Sequence, residues 1–227
     1  MISRKTSILG NARGFTLVEL MITLAMSGII VAAVYSAYVI QQKTYFTQDK
    51  VVEMQQNIRA GLEMMASEIR MATFDPGGGA DASITTATAS RFSFTADLNE
   101  DGDLADPNEQ VTFCLKVGCD ADGIADTGAD SVVRNGQAIA EGIHAIEFYY
   151  TLDDGITKTK TPTAGQLDQI RNVQISMLAV SSQRDPKYTN SQVYTTGSGA
   201  TWGAYDDNFR RRLLTSSVNI RNQGLNK

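Results

Sequence analysis

Residues 15–34 read FTLVELMITLAMSGIIVAAV, twenty residues with a single charged side chain, Glu19. As an α-helix they rise about 30 Å, the thickness of a bilayer's hydrocarbon core. The preceding segment, Met1–Gly14, carries Arg4, Lys5 and Arg13 and no acid. That asymmetry holds the N-terminus in the cytoplasm and sends the following chain across. A secretory signal peptide would need a small-residue cleavage site beyond the apolar run, but here the run continues into YSAYVIQQKTYF at 35–46. A plain membrane anchor leaves Glu19 unexplained, because an ionisable group at membrane depth is costly and usually has a partner. Cleavage between Gly14 and Phe15 would create that partner. The new amine on Phe15 would stand four residues before Glu19, and the two charges could neutralise each other within one chain or between neighbours.

Past Val34 the composition changes but the helical period does not. Val51, Met54, Ile58, Leu62, Met65, Ile69 and Ala72 recur at spacings of three and four, with polar residues on the other faces. Met54, Met64, Met65 and Met71 read as flexible core filler. Pro76 and the glycines at 77–79 stop the helix. The spacing predicts one helix over Phe15–Thr73, about 88 Å long, apolar in its first half and amphipathic in its second. Beyond Ala80 the pattern becomes β, with strands expected at Arg91–Ala96, Gln110–Val117, Ile143–Leu152, Asn172–Ser181 and Arg211–Ile220. Val173, Ile175, Met177 and Ala179 alternate onto one face. No βαβ alternation is present, so the pairing should be antiparallel. The expected fold class is α+β, a long N-terminal helix packed on an antiparallel sheet. The domain plan is a leader at 1–14, the helix at 15–73 and a β-rich head at 74–227.

The 227-residue chain carries a formal net charge of −5, and 42% of it is hydrophobic. Removing the leader takes away three positive charges, so −5 becomes about −8 in the mature chain. Such an acidic protein is a poor nucleic-acid binder. The two cysteines, Cys114 and Cys119, close a small disulfide loop if the head lies outside the cytoplasm. In the cytosol a metal or redox pair would be considered, although the spacing is not CxxC. A disulfide is the expectation. One histidine, His144, argues against histidine-rich metal chemistry.

The stretch RGFTLVELMITLAM (13–26) resembles the class III signal of type IV pilins and type II secretion pseudopilins. The resemblance implies that a membrane prepilin peptidase cuts after Gly14 and that Phe15 is N-methylated. It also implies that Glu19 guides assembly by pairing with a neighbour's N-terminus. Many major pilins have a proline about twenty residues into the mature helix; here Ser36 stands in that region and the first proline is Pro76. Within the family, VVEMQQNIRAGLEMMASEIRMATFDP (51–76), HAIEFYYTL (144–152) and RRRLLTSSVNIRN (210–222) are similar to PilW-type minor pilins. GspJ-like pseudopilins share the same architecture and form the rival reading.

Candidate chemistry in the head is confined to polar loops. Asp97, Asn99, Asp101, Gly102 and Asp103 open like an EF-hand or dockerin-type calcium loop, with oxygen ligands at alternate positions and a turn glycine. The twelfth loop position is Asn108 and Glu109 follows it, so Glu109 is the candidate closing acid. The alternative is a solvated acidic hairpin. Asp120, Asp122 and Asp126 form a second, sparser oxygen-rich loop. Residues 126–130, DTGAD, resemble the signature of retroviral aspartic proteases. That chemistry needs two aspartates sharing a proton and an apolar anchoring strand, and the sequence supplies neither. No GxSxG, Walker or dinucleotide motif occurs. His144 falls in a strand pattern and reads as structural. Arg210–Arg212 lie near Tyr205 and Phe209 but are diluted by Asp206 and Asp207, which suits a strand start or subunit contact better than DNA.

These readings describe a structural and assembly protein, not an enzyme. It would wait in the inner membrane with a periplasmic head and then join a pilus filament. The implied partners are major and minor pilins, the prepilin peptidase and the inner-membrane assembly platform; no small-molecule substrate is expected, and calcium is the candidate cofactor. A membrane-anchored calcium-dependent adhesin is the alternative from another class.

Overall fold

The computed structural model describes residues 14–117, 119, 122–126 and 128–224. Helix α1 spans Leu17–Arg70. Ten strands follow: β1 Ile84–Ala87, β2 Phe92–Thr95, β3 Gln110–Leu115, β4 Asp130–Arg134, β5 Gln137–Leu152, β6 Lys158–Thr159, β7 Ile170–Arg184, β8 Tyr194–Thr195, β9 Thr201–Trp202 and β10 Phe209–Asn219, with a 3₁₀ turn at Ala164–Gln169. The chain divides into two compact units, residues 1–46 and 47–227.

In the first unit, helical residues 17–38 are exposed. The most apolar window of α1 has a mean hydropathy of 2.3, and none of it is buried. Thr16 caps the helix, because its hydroxyl accepts the Glu19 backbone N–H at 3.2 Å. The acid Glu19 therefore sits in the first turn, where a negative charge suits the helix dipole.

In the second unit, the amphipathic half of α1 lies on one face of an antiparallel sheet ordered β1-β2-β3-β4-β5-β7-β10, with β6 beside β5. Met54, Ile58, Leu62, Met65 and Ile69 are buried against Phe92, Phe94, Phe148, Tyr150, Val173, Ile175 and Met177. The predicted Val173–Ile175–Met177–Ala179 face is the helix-facing face of β7. Two polar clamps fix the helix. Arg134 Nε donates to both Glu68 carboxylate oxygens at 2.9 and 2.7 Å, and Asn57 Nδ2 donates to the Glu141 carbonyl at 2.7 Å. On the opposite face of the sheet, Ala145 and Leu178 are covered by Tyr194 and Trp202 from the chain between β7 and β10.

The helix stops at Arg70, three residues before the predicted Thr73. Thr73 takes a left-handed φ of 62°, and its N–H bonds the Thr95 carbonyl at 3.0 Å instead of continuing the helix. All five predicted strands exist, but β5 and β7 extend further than expected. Sequence reading missed β1, β4, β6, β8 and β9, each of two to five residues, because runs that short carry little periodic signal. Asn135–Gly136, both left-handed, is the hairpin signal that would have revealed β4 and the start of β5.

Gly61 sets the helix–sheet spacing. A Cβ there would lie 2.7 Å from the Ala140 Cβ, a methyl with no freedom to move aside. Gly61→Val should therefore lower stability by about 2 kcal/mol, measured by chemical denaturation. Adding Ala140→Gly should restore part of the loss; an unchanged single variant would contradict this packing.

Candidate functional site

Gly14, Phe15 and Glu19 all lie in the first unit. Gly14 is exposed, Phe15 is 80% exposed, and Glu19 projects from the first turn. The rest of the predicted leader, residues 1–13, lies outside the described residues. Thr16, which sequence reading did not single out, caps the helix beside Phe15 and Glu19. The residues Thr16-Leu17-Val18-Glu19 follow the T-x-x-E capping pattern, so Glu19 is part of the signal that starts the helix.

The acidic loop is positioned by the end of α1. The Phe74 carbonyl accepts the Asp97 N–H at 2.7 Å, tying the loop's first acid to the helix terminus. Asp97 turns inward and is 1% exposed. Its two oxygens accept the N–H groups of Glu100 at 2.7 Å and Gly102 at 3.1 Å. Glu109, also 1% exposed, stands at the start of β3 and accepts from the Leu98 and Asp106 N–H groups at 3.1 and 3.3 Å. Asp97, Asp101 and Glu109 each bring one carboxylate oxygen within 4.8 Å of the others.

The remaining predicted oxygens are placed differently. Asn99 points its amide nitrogen into the loop and donates to Asp101 at 2.9 Å and to Asp106 at 2.7 Å. Asp103 accepts the Ala105 N–H at 2.8 Å, which turns its carboxylate toward its own loop. Asp106 joins the acidic set through Asn99, and no alternate-position pattern pointed to it. Of the second loop, Asp120 lies outside the described residues, while Asp122 and Asp126 are exposed. Asp122 accepts the Ile124 N–H at 3.0 Å. Among the described residues, Asp122 and Asp126 do not form a cluster of metal-binding size. Cys114 and Cys119 form a disulfide, with their Cα atoms 5.0 Å apart.

His144 belongs to the outer-face cluster. Its Nδ1–H donates to the Gly128 carbonyl at 2.7 Å, and its ring meets Tyr205 edge-on at 4.7 Å. Gly128, within the DTGA stretch, thus serves as a backbone acceptor, and Asp126 stays on the surface. The arginine run is largely engaged internally. Arg210 pairs with Asp185 and lies over Tyr188, while Arg211 pairs with Asp207 and lies over Tyr205. Only Arg212 of the three is exposed.

Residues 120–222 match the family model of PilW, the type IV pilus-assembly protein W, and residues 9–35 match the prokaryotic N-terminal methylation motif. Its C-terminal part is thus similar to PilW, and its N-terminus to prepilin-type sequences. The PilW match takes in β4 to β10, including the central β5–β7–β10 ladder and the chain that covers its outer face. The methylation motif contains Gly14, Phe15 and Glu19 together with the apolar helix start. No curated protein matches the chain in sequence. Among solved structures it is similar to a type IV-like pilin from Thermus thermophilus, with 12% identity, a TM-score of 0.48, and coverage of 75% of this chain and 98% of that one.

The outer-face cluster should respond to acid. Burial pushes the His144 pKa below its ordinary value, so the unfolded chain takes up that proton first as pH falls below 6.5. Stability should decline from there down to the folded-state value. Asp207 and Asp185 are held below the usual carboxylate range, first by their hydrogen bonds from Arg211 and Arg210. Their contribution is present above the ordinary carboxylate pKa and is lost as pH falls through the lowered folded values. Thermal unfolding of the full chain between pH 8 and 3 should show both declines, and His144→Asn should remove only the first.

Proposed function

We propose that this protein is a minor pilin, a structural subunit that is cut at Gly14–Phe15 and enters a type IV pilus through its apolar helix. The observation that carries the reading is the PilW domain lying behind an N-terminal methylation motif on one chain. The physical logic agrees with it. The N-terminal half of α1 has an apolar surface that water does not tolerate, so it needs a bilayer or a bundle of like helices. Before assembly the chain is anchored in the inner membrane with its head in the periplasm, a setting that suits the Cys114–Cys119 disulfide. Its partners are other pilins, the prepilin peptidase and the assembly platform. After cleavage, the Phe15 amine of one subunit can meet Glu19 of another inside the bundle. Charge neutralisation there would make a register marker out of an otherwise costly carboxylate. The PilW match favours the pilus over a GspJ-like secretion pseudopilin.

Mass spectrometry of the chain from membranes and from sheared filaments tests this. The wild-type N-terminus should be methylated Phe15, whereas Gly14→Ala should retain residues 1–14 and stay out of filaments. Glu19→Ala should be cut normally but fall roughly tenfold in filament content, the cost of losing about 1.4 kcal/mol of pairing. A fully functional, uncut Gly14→Ala variant would favour an anchored adhesin instead.

We further propose that calcium closes the Asp97–Glu109 loop. Three carboxylates in one small cluster, two of them shielded from water, repel one another, and a cation between them would offset that repulsion beyond what their backbone N–H bonds do. Asp97, Asp101 and Glu109 would be its acidic ligands. Calcium at about ten times its dissociation constant should add about 1.4 kcal/mol and raise the Tm of the chelator-treated full chain by about 4 °C. Asp101→Ala should abolish that shift, and an unchanged Tm in the wild type would sink the calcium assignment.

A further inference from the structure

The main path of the sheet ends in two edge strands, β1 and β10, and they are finished differently. Edge strand β1 is four residues long, carries a bulge between Ile84 and Thr86, and lies against the 3₁₀ turn at Ala164–Gln169. Edge strand β10 is eleven residues long and pairs only with β7. Its irregularity is confined to Phe209–Arg211, where Asp185 and Asp207 hold Arg210 and Arg211. From Leu213 to Asn219 the register is unbroken, and those seven residues contain no charge, proline or glycine. Exposed edges are ordinarily protected by shortness, bulges, prolines or charges. By that measure β1 is guarded and the second half of β10 is open.

A groove of about 300 Å³ runs between this open edge and α1. Leu62, Ala66 and Leu214 give it an apolar floor, and the exposed Arg59, Glu63 and Arg70 rim it. Arg212, also exposed, lies two residues before Leu214 on the same face of the strand. Among the described residues, Arg59, Arg70 and Arg212 form no ion pair. Three cations against one carboxylate make this a positive site on a chain whose net charge is −5.

We propose that the β10 edge and its groove receive an extended acidic segment from a different pilin subunit by β-strand addition. The proposal rests on the minor-pilin reading. The added strand's backbone would pair with Leu213–Asn219. Every second side chain would reach the apolar floor, and its carboxylates would meet Arg59, Arg70 and Arg212. A second copy of this chain fits less well. Two β10 strands paired antiparallel across a twofold axis would set their two packed helices antiparallel, whereas subunits that cross one membrane in the same sense run parallel. The other edge that a copy could offer, β1, is already covered.

The test places the photo-crosslinking residue p-benzoylphenylalanine at the exposed, groove-lining Thr215 of the full-length chain, in cells that assemble filaments. The expected product is an adduct with another pilin subunit, mapping to an acidic extended peptide. Arg59→Glu with Arg70→Glu should reduce its yield about tenfold, with membrane levels and Tm unchanged. No adduct, an adduct with lipid or a second copy, or a yield insensitive to charge reversal would overturn strand addition. If filaments still contained the chain beginning at Phe15, the minor-pilin reading would survive that result. If the chain were absent from filaments, both would fall.

Discussion

The contact between the Met54–Ile58–Leu62–Met65–Ile69 stripe and the aromatic and aliphatic face of β2, β5 and β7 is the one on which the head depends. An eight-stranded sheet with one bare apolar face would not be stable in water. The stripe covers that face with a helix segment that is also part of the anchor. The two roles place different demands on one element: residues 17–40 carry apolar side chains all round, while the later turns carry them on one side. Gly61 and the Glu68–Arg134 pair hold the second half close against the sheet.

From that contact the placement of the polar features follows. The helix ends where Thr73 bonds Thr95, and the next carbonyl, Phe74, fixes Asp97. The acidic loop is therefore built on the junction of helix and sheet, not hung from the surface. On the far face, Tyr194, Trp202 and Tyr205 cover Ala145 and Leu178, and Arg211 and His144 pack around Tyr205. The basic run, read from sequence as a strand start or subunit contact, is mostly consumed in holding that cover in place.

Much of the fold was legible because its signals are periodic. The change from an uninterrupted apolar run to a three-and-four spacing, and then to a period of two, marks anchor, packed helix and sheet. Short strands such as Asp130–Arg134 were not legible, since so few residues gain strand geometry only from the neighbours they pair with. The acidic loop was half legible. The alternating acids placed Asp97 and Asp101, but Asp106 enters through a hydrogen bond from Asn99 that no spacing rule encodes.

By itself, the sequence determined the N-terminal methylation motif and the helix start, because the order of Gly14, Phe15, Thr16 and Glu19 is a local property of one chain. It also determined which face of β7 is buried, since alternation is a local property. Only the tertiary structure decided which acids meet, which arginines are neutralised and which sheet edge is left open. Those depend on residues far apart in sequence, such as Asp185 with Arg210 or Glu68 with Arg134, and on where the long helix lies along the sheet. The apolar stretch at 15–34 thus explains why the chain needs a membrane or filament. The packing of residues 54–69 decides what the head can offer to its neighbours there.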